Sequence, residues 1–310
     1  MAERYDVLGV GECSVDDSVR VDAAPAPGGK ARMRERRRLA GGQIATALLG
    51  CARLGRSAAF VSSVGDDTSA EIALAPLRAA GVDLARVRRV AGAATRSAFI
   101  WVDASSGERT VLWDRDERLA LGADAVTGDD LAAARLVLLD ATDLPVALSV
   151  ARFARERGVA CVLDADASAP GLVELLALAS HPAISESLAC ELFGSAEGAV
   201  VQLARRGAEC PIVTRGRRGA VAWSGGEVLV CPAFPIAAVD TTGAGDAFHA
   251  GIAHGLLDGL SGAPLLSMAQ AVAACTCLGV GAQAGLPTRV ELEEFLRTAS
   301  RPGLTPPRAR

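Results

Sequence analysis

The 310-residue chain is half apolar, with 22% charged residues and a formal net charge of −4. That composition supports a large core in one big domain, or in one domain with an appendage. It argues against nucleic acid as the main partner, because a phosphate-backbone binder normally carries a basic surplus.

The N-terminal MAERYDVLGVG opens directly on a strand without a secretory layout. No apolar run reaches the roughly 18 uninterrupted residues of a membrane span, so a cytoplasmic protein without membrane contact is expected. Strands are predicted at Asp6–Val10, Ala59–Val64, Leu136–Asp140, Ala160–Asp164, Ala183–Ser185 and Pro211–Thr214. Their near-continuous apolar runs suit strands covered on both faces. Helices are predicted at Gln43–Leu54, Ala70–Ala80, Pro145–Arg157 and Val200–Arg206. Each is followed by a glycine (55, 81, 158, 207), which accepts the left-handed conformation that stops a helix. Alternating strands and helices imply an α/β fold with a doubly wound, mostly parallel sheet.

Two stretches break this rhythm. Ser14–Leu39 and Arg86–Trp113 alternate like strands and hold no good helix, so they are read as a small β-sheet lid, residues 14–39 and 86–113. The α/β core is then 1–13, 40–85 and 114–300, and the proline-rich 301–310 is a loose tail. The basic run Arg34-Glu35-Arg36-Arg37-Arg38 reads as a solvated face, with a contact to an anionic ligand as the alternative. Eight scattered cysteines show neither a CxxC pair nor a Cys/His cluster, so buried free thiols are expected rather than zinc or disulfides.

The chemistry concentrates in Val239-Asp240-Thr241-Thr242-Gly243-Ala244-Gly245-Asp246-Ala247-Phe248-His249-Ala250-Gly251, which leads into an apolar helix. Small residues at 243, 244 and 245 expose three backbone N–H groups at a helix N-terminus, an anion cradle. Asp246 follows at once and can accept a proton from a hydroxyl held beside that anion. Read alone, Gly-Ala-Gly-Asp is equally a helix cap with a tight turn.

The whole string resembles the C-terminal signature of the ribokinase-like (PfkB) carbohydrate kinases. Ala40–Ala47, running on to Gly55, resembles that family's N-terminal signature. Val64–Asp67, Val213–Gly216 with Gly219, and Ala284–Pro287 match further elements in the right order. The resemblance implies an ATP- and Mg²⁺-dependent kinase acting on a hydroxyl of a sugar-type small molecule, with K⁺ as a further cofactor and a homodimer formed through the lid. By similarity, Asp246 is the catalytic base, and Gly243, Ala244 and Gly245 form the anion hole. Asp240 and Thr242 would hold the monovalent cation, while Ser185, Thr214 and Gly216 contact the nucleotide. Asp16, Lys30, Gly41, Gly42 and Thr46 fall on the acceptor side.

There are departures from the family pattern. Thr46 stands where an asparagine is usual, and the Asn-x-x-Glu element reads Ser185-Glu186-Ser187-Leu188, leaving Glu186 to act on the magnesium water shell. These variants and Leu163–Ser168 resemble the sulfofructose kinase subgroup, although Thr142 and Trp113 replace its expected sulfonate-binding arginine and asparagine. Trp101 and Trp113, on lid strands, could stack on a ligand or close a dimer interface. A nucleoside kinase is the alternative enzyme, disfavoured by only 4% aromatics. A non-catalytic sugar or nucleotide sensor is the alternative outside catalysis, favoured only by Leu188. A dinucleotide-binding reading fails because Gly9-x-Gly11 lacks the third glycine and the following helix.

Overall fold

Val7, Leu8 and Val10 of β1 (Tyr5–Val10) are almost wholly excluded from solvent, as a strand at the centre of a two-faced sheet must be. A computed structural model describes residues 5–299 apart from 24, 27 and 105–108. Two strands leave the core after β1: β2 (Ser14–Val21) and β3 (Met33–Gly41). The chain returns through α1 (Gln43–Arg53), β4 (Ala58–Gly65), α2 (Thr68–Ala79) and β5 (Asp83–Val90), then departs again as β6 (Ser97–Asp103) and β7 (Arg109–Asp114). Alternation resumes with α3 (Gly128–Ala132), β8 (Ala134–Asp140), α4 (Leu144–Arg157), β9 (Ala160–Ala165), α5 (Leu172–Leu178) and β10 (His181–Ser185). After α6 (Glu186–Phe193) and α7 (Ala196–Arg205) come β11 (Ile212–Thr214), β12 (Ala220–Ser224) and β13 (Glu227–Cys231). The chain closes on α8 (Ala244–Leu257), α9 (Gly262–Thr276) and α10 (Arg289–Thr298).

The large sheet runs β13-β12-β11-β10-β9-β8-β1-β4-β5, parallel from β11 to β5 and antiparallel at β12 and β13. One apolar layer joins it to α1, α2, α8, α9 and α10, and another joins its opposite face to α4, α5, α6 and α7. Gly50 lets α1 and α8 cross closely, since a Cβ there would lie 2.8 Å from Ala250 Cβ. The close crossing brings the N-termini of both helices to one end of the sheet. The helix expected from Val200 begins four residues earlier, because the Ser195 hydroxyl accepts the Gly198 N–H and caps it.

The small sheet runs β3-β2-β6-β7. Residues 86–90, assigned from sequence to the second lid stretch, belong instead to β5, paired in parallel with β4 from Ala59↔Asp83 to Gly65↔Val90. Arg86, Arg88 and Arg89 ride a half-covered sheet edge, and that exposure produced an alternation indistinguishable by pattern from a lid strand. The expected tail, 301–310, lies outside the described residues. No described helix is long and apolar enough to cross a membrane.

His181 on β10 is 8% exposed, and burial pushes its ring down to about 4. An unfolded histidine titrates near 6.5, so across that window the folded state binds fewer protons. This contribution to stability is complete above about pH 6.5 and is lost as pH falls toward 4. Burial also pushes Asp140 up, to about 7, and it titrates in the opposite sense, so the effect must be read as a difference. Between pH 7 and pH 5, urea unfolding of the parent should lose about 2 kcal/mol more than that of His181→Gln. Equal losses in the two proteins would remove His181 as a contributor.

Candidate active site

A cleft of about 310 Å³ opens at the C-terminal ends of β1, β9, β10 and β11, under the small sheet. This is where an α/β sheet normally takes ligands. The floor is the start of α8. Gly243, its N-cap, has φ +76°, and a Cβ there would come within 2.6 Å of the backbone of Ala282. Only glycine fits that approach, and the N–H groups of Gly243 and Gly245 stand unshielded by side chains at a helix N-terminus. Gly243, Gly245 and Asp246 face the cleft, and Ala244 N donates to Thr241 O at 3.2 Å, closing the turn.

Asp246 lies in the first turn of α8. Burial raises its carboxyl well above the ordinary range, Asp164, Asp16 and Asp166 add to the effect, and Arg109 opposes it. Across the cleft, β2 presents Asp16, which is 9% exposed and accepts the Ser14 hydroxyl at 3.0 Å. Burial raises Asp16 as well, against the pull of Ser14, Arg96 and Arg109. Gly41, opposite Ser14 in the lid ladder, makes room for this carboxylate, since a Cβ there would lie 2.2 Å from Asp16 Oδ2.

The remaining sequence-derived residues divide. Gly42, Ser185, Thr214 and Thr242 line the cleft. The Ser185 hydroxyl caps α6 by accepting Leu188 N at 3.3 Å, and Leu188 itself is a core residue, 2% exposed. Thr46 is fully buried beneath the cleft, its hydroxyl accepting from Gln283. Lys30 is exposed and lines no described cavity. Gly216 begins the short turn between β11 and β12 rather than facing the cleft. Glu186 sits outside the cleft wall, paired with Arg218.

Asp240 is a structural clamp: its two oxygens accept Thr242 N and Gly281 N, each at 2.8 Å. Burial works against its ionisation, but those N–H donors outweigh it and hold the carboxyl below the usual range. A second cavity, about 410 Å³, lies along the same face of the lid. Asp240, Thr241 and Gly281 form one wall, and Arg20, Glu35 and Arg37 the other. Arg37 is thus the member of the basic run that faces a cavity, whereas Arg34 pairs with Asp22 and Arg36 with Asp17.

Sequence reasoning missed Glu12, Gln43, Arg96, Arg109, Asp164, Asp166 and His249, all on the cleft wall. Glu12 is a buried carboxylate 2.8 Å from Arg96, and Arg115 bridges it to Asp143. The Arg96 guanidinium lies 5.6 Å from the centre of the Trp113 ring. Trp113 is 64% exposed and opposite Ala98, on the cleft face of the lid, whereas Trp101 turns to the other face. His249, one turn beyond Asp246, sits between Gly245 O, Ala183 O and the Asp164 carboxylate. A signal existed only for Asp164 and Asp166, polar residues at the end of an apolar strand.

The pfkB family carbohydrate kinase model matches residues 5–289. This chain is a PfkB-family carbohydrate kinase. Among curated relatives, it is 30% identical over 272 residues to a ribokinase of Haemophilus influenzae, covering 84% of this chain and 88% of that one. It is 33% identical over 257 residues to an ATP-dependent ribose-1-phosphate kinase of Halopiger xanaduensis, covering 82% and 86%. The solved Arabidopsis thaliana ribokinase, complexed with ribose and ATP, superposes with a TM-score of 0.81 at 25% identity, covering 95% of this chain and 99% of that one. The PfkB fold, a large mostly parallel sheet with a small lid sheet, is therefore the fold of this kinase, and its reaction class is phosphorylation of a hydroxyl in a sugar-type molecule.

Proposed function

We propose that this PfkB kinase transfers the γ-phosphoryl group of ATP to a sugar hydroxyl held by Asp16, with Asp246 as general base. The observation that carries the reading is one cleft bringing Asp246, a bare glycine turn at a helix N-terminus and the acceptor-side Asp16 face to face. In the proposed step Asp246 accepts the hydroxyl proton as the oxygen attacks phosphorus. The N–H groups of Gly243 and Gly245 hold the equatorial oxygens, where charge accumulates, while Ala244, expected from sequence to be a third donor, spends its N–H on Thr241 O and closes the turn. A carboxyl raised by its surroundings is a better base for an alcohol than an ordinary one, provided that it is ionised at working pH.

Magnesium typically keeps several waters and binds mainly through phosphate oxygens, so a cleft rich in carboxylates fits it without a dedicated cage. When bound, it neutralises phosphate charge. Glu186, already paired with Arg218, would act only through that water shell. Asp240 and Thr242 would hold K⁺ chiefly through backbone carbonyls, because both Asp240 oxygens are engaged. The lid's far face exposes Met33, Phe99 and Leu112 at 53%, 40% and 55%, and we assign the homodimer contact there.

A nucleoside acceptor is the second reading, favoured by Trp113, which shares the cleft face of the lid with Ala98, Ile100 and Val111. ADP release from Mg²⁺–ATP with K⁺, across ketoses, aldoses, sugar acids, sugar phosphates, sulfosugars and nucleosides, separates the two. Turnover confined to nucleosides would replace the sugar reading, and ATP binding without any turnover would favour a sensor. Gly41→Ala, which pushes Asp16 aside, should raise the acceptor KM about tenfold or more while nucleotide affinity stays put. An unchanged KM would detach Asp16 from the acceptor.

A further inference from the structure

Arg109 opens β7 and points from the lid into the cleft, where its Nη1 donates to Thr241 O at 3.4 Å. That bond is long for a charged donor, and Thr241 O already accepts Ala244 N at 3.2 Å. Among the described residues no carboxylate lies within ion-pair distance of Arg109. The cleft's other lining arginine, Arg96, is 2.8 Å from Glu12, and nearby Arg115 is 2.7 Å from Asp143. Arg109 nonetheless acts electrostatically on three carboxylates at once, favouring the ionised forms of Asp16, Asp240 and Asp246. Arg109 shares its cleft with the acceptor-side aspartate and the base, and its bond to Thr241 O sets it beside the anion turn.

That position has a chemical consequence. Glu12, Asp16, Asp164, Asp166 and Asp246 crowd the same cleft, and a nucleotide triphosphate would bring several more negative charges into it. A phosphoryl group in transfer spreads charge over three equatorial oxygens. Backbone N–H groups below it cover only the side facing α8. A planar guanidinium arriving from above, with most of its five donors uncommitted, meets the remaining oxygens.

Building on the kinase reading, we propose that Arg109 is a catalytic residue carried by the lid, contacting the phosphoryl group as it passes from nucleotide to acceptor. The acceptor oxygen forms a bond to phosphorus and gives its proton to Asp246. The bond from phosphorus to the β–γ bridging oxygen breaks, and its electron pair leaves with ADP. Arg109 neither gives nor takes a proton. It loses only its long bond to Thr241 O, so lid closure and stabilisation of the transferring group become one event. The same residue on an open lid contributes nothing, which would limit futile transfer to water.

The test uses the full chain and Mg²⁺–ADP with and without aluminium fluoride, a planar mimic of the phosphoryl group, so no acceptor need be known. Binding is followed by calorimetry in the parent, Arg109→Ala and Arg109→Lys, with thermal unfolding to check that each variant is folded. Arg109→Ala should weaken the aluminium fluoride complex about 100-fold while Mg²⁺–ADP alone moves less than about threefold, with partial recovery in Arg109→Lys. Equal weakening of both ligands would make Arg109 a nucleotide-binding residue, and no weakening of either would remove it from the reaction. Either result overturns the proposal while the parent still binds nucleotide. Failure of the parent itself to bind Mg²⁺–ADP would sink the kinase reading and this inference with it.

Discussion

Asp246→Asn should lower kcat by about 10²–10⁴ while nucleotide affinity stays within a few-fold. Asparagine keeps the size and the helix-start position but cannot take the proton of the attacking hydroxyl. Removing a negative charge beside the phosphates should leave nucleotide binding intact or slightly tighter, which separates this variant from one that merely misfolds. The pH profile gives a second readout. Crowding by burial and by Asp164 raises the Asp246 carboxyl, and the ionised form is the active base. Activity should therefore fall on the acid side at a higher pH than an ordinary carboxylate, near 4, would dictate. Parent-like turnover in Asp246→Asn would falsify the general-base assignment whatever the profile looked like.

The second large effect is expected at Gly243. An alanine there would force its Cβ within 2.6 Å of Ala282 Cα and Ala282 O, backbone atoms that cannot rotate away, at a φ of +76°. The left-handed conformation alone costs about 1–2 kcal/mol for a residue with a side chain. The clash adds to that unless the turn moves. Movement tilts the N–H groups of Gly243 and Gly245 away from the phosphoryl oxygens, so kcat should drop about 10²–10³, as for the loss of an oxyanion-hole donor. Acceptor KM should hold, because Asp16 and Gly41 lie on the opposite wall. Steady-state kinetics at saturating ATP checks both values. A variant with unchanged kcat and only lower thermal stability would reduce Gly243 to a structural turn.

His181 and Gly41 test different levels of the same architecture. His181 concerns the stability of the core sheet, far from chemistry in sequence but on the strand that ends at Ser185. Gly41 concerns one side chain's room to stand. Each of these effects traces to a single crowded atom or a buried ring, so each can be altered without dismantling the fold.

The core was legible in the sequence because its signals are local. β1, β4, β8, β9, β10 and β11 are short apolar runs, and glycines close α1, α2, α4 and α7, so periodicity alone locates them. The anion turn is legible for the same reason: Gly243-Ala244-Gly245-Asp246 compresses the cradle and the adjoining carboxylate into four consecutive residues. Its resemblance to the PfkB signature then named a family that the match over residues 5–289 establishes. What tertiary structure alone decided is non-local. β5 joined the large sheet because β4 offered a free edge, and no alternation of Arg and Val could reveal that. Thr46 and Leu188 turned out to be packing residues because burial depends on what lies over them. The polar groups around the reaction centre come from segments as far apart in sequence as Glu12, Arg109, Asp164 and His249. Only Asp164, at the end of an apolar strand, has a local pattern to mark it, because a side chain's electrostatic role is set by the neighbours that folding brings to it.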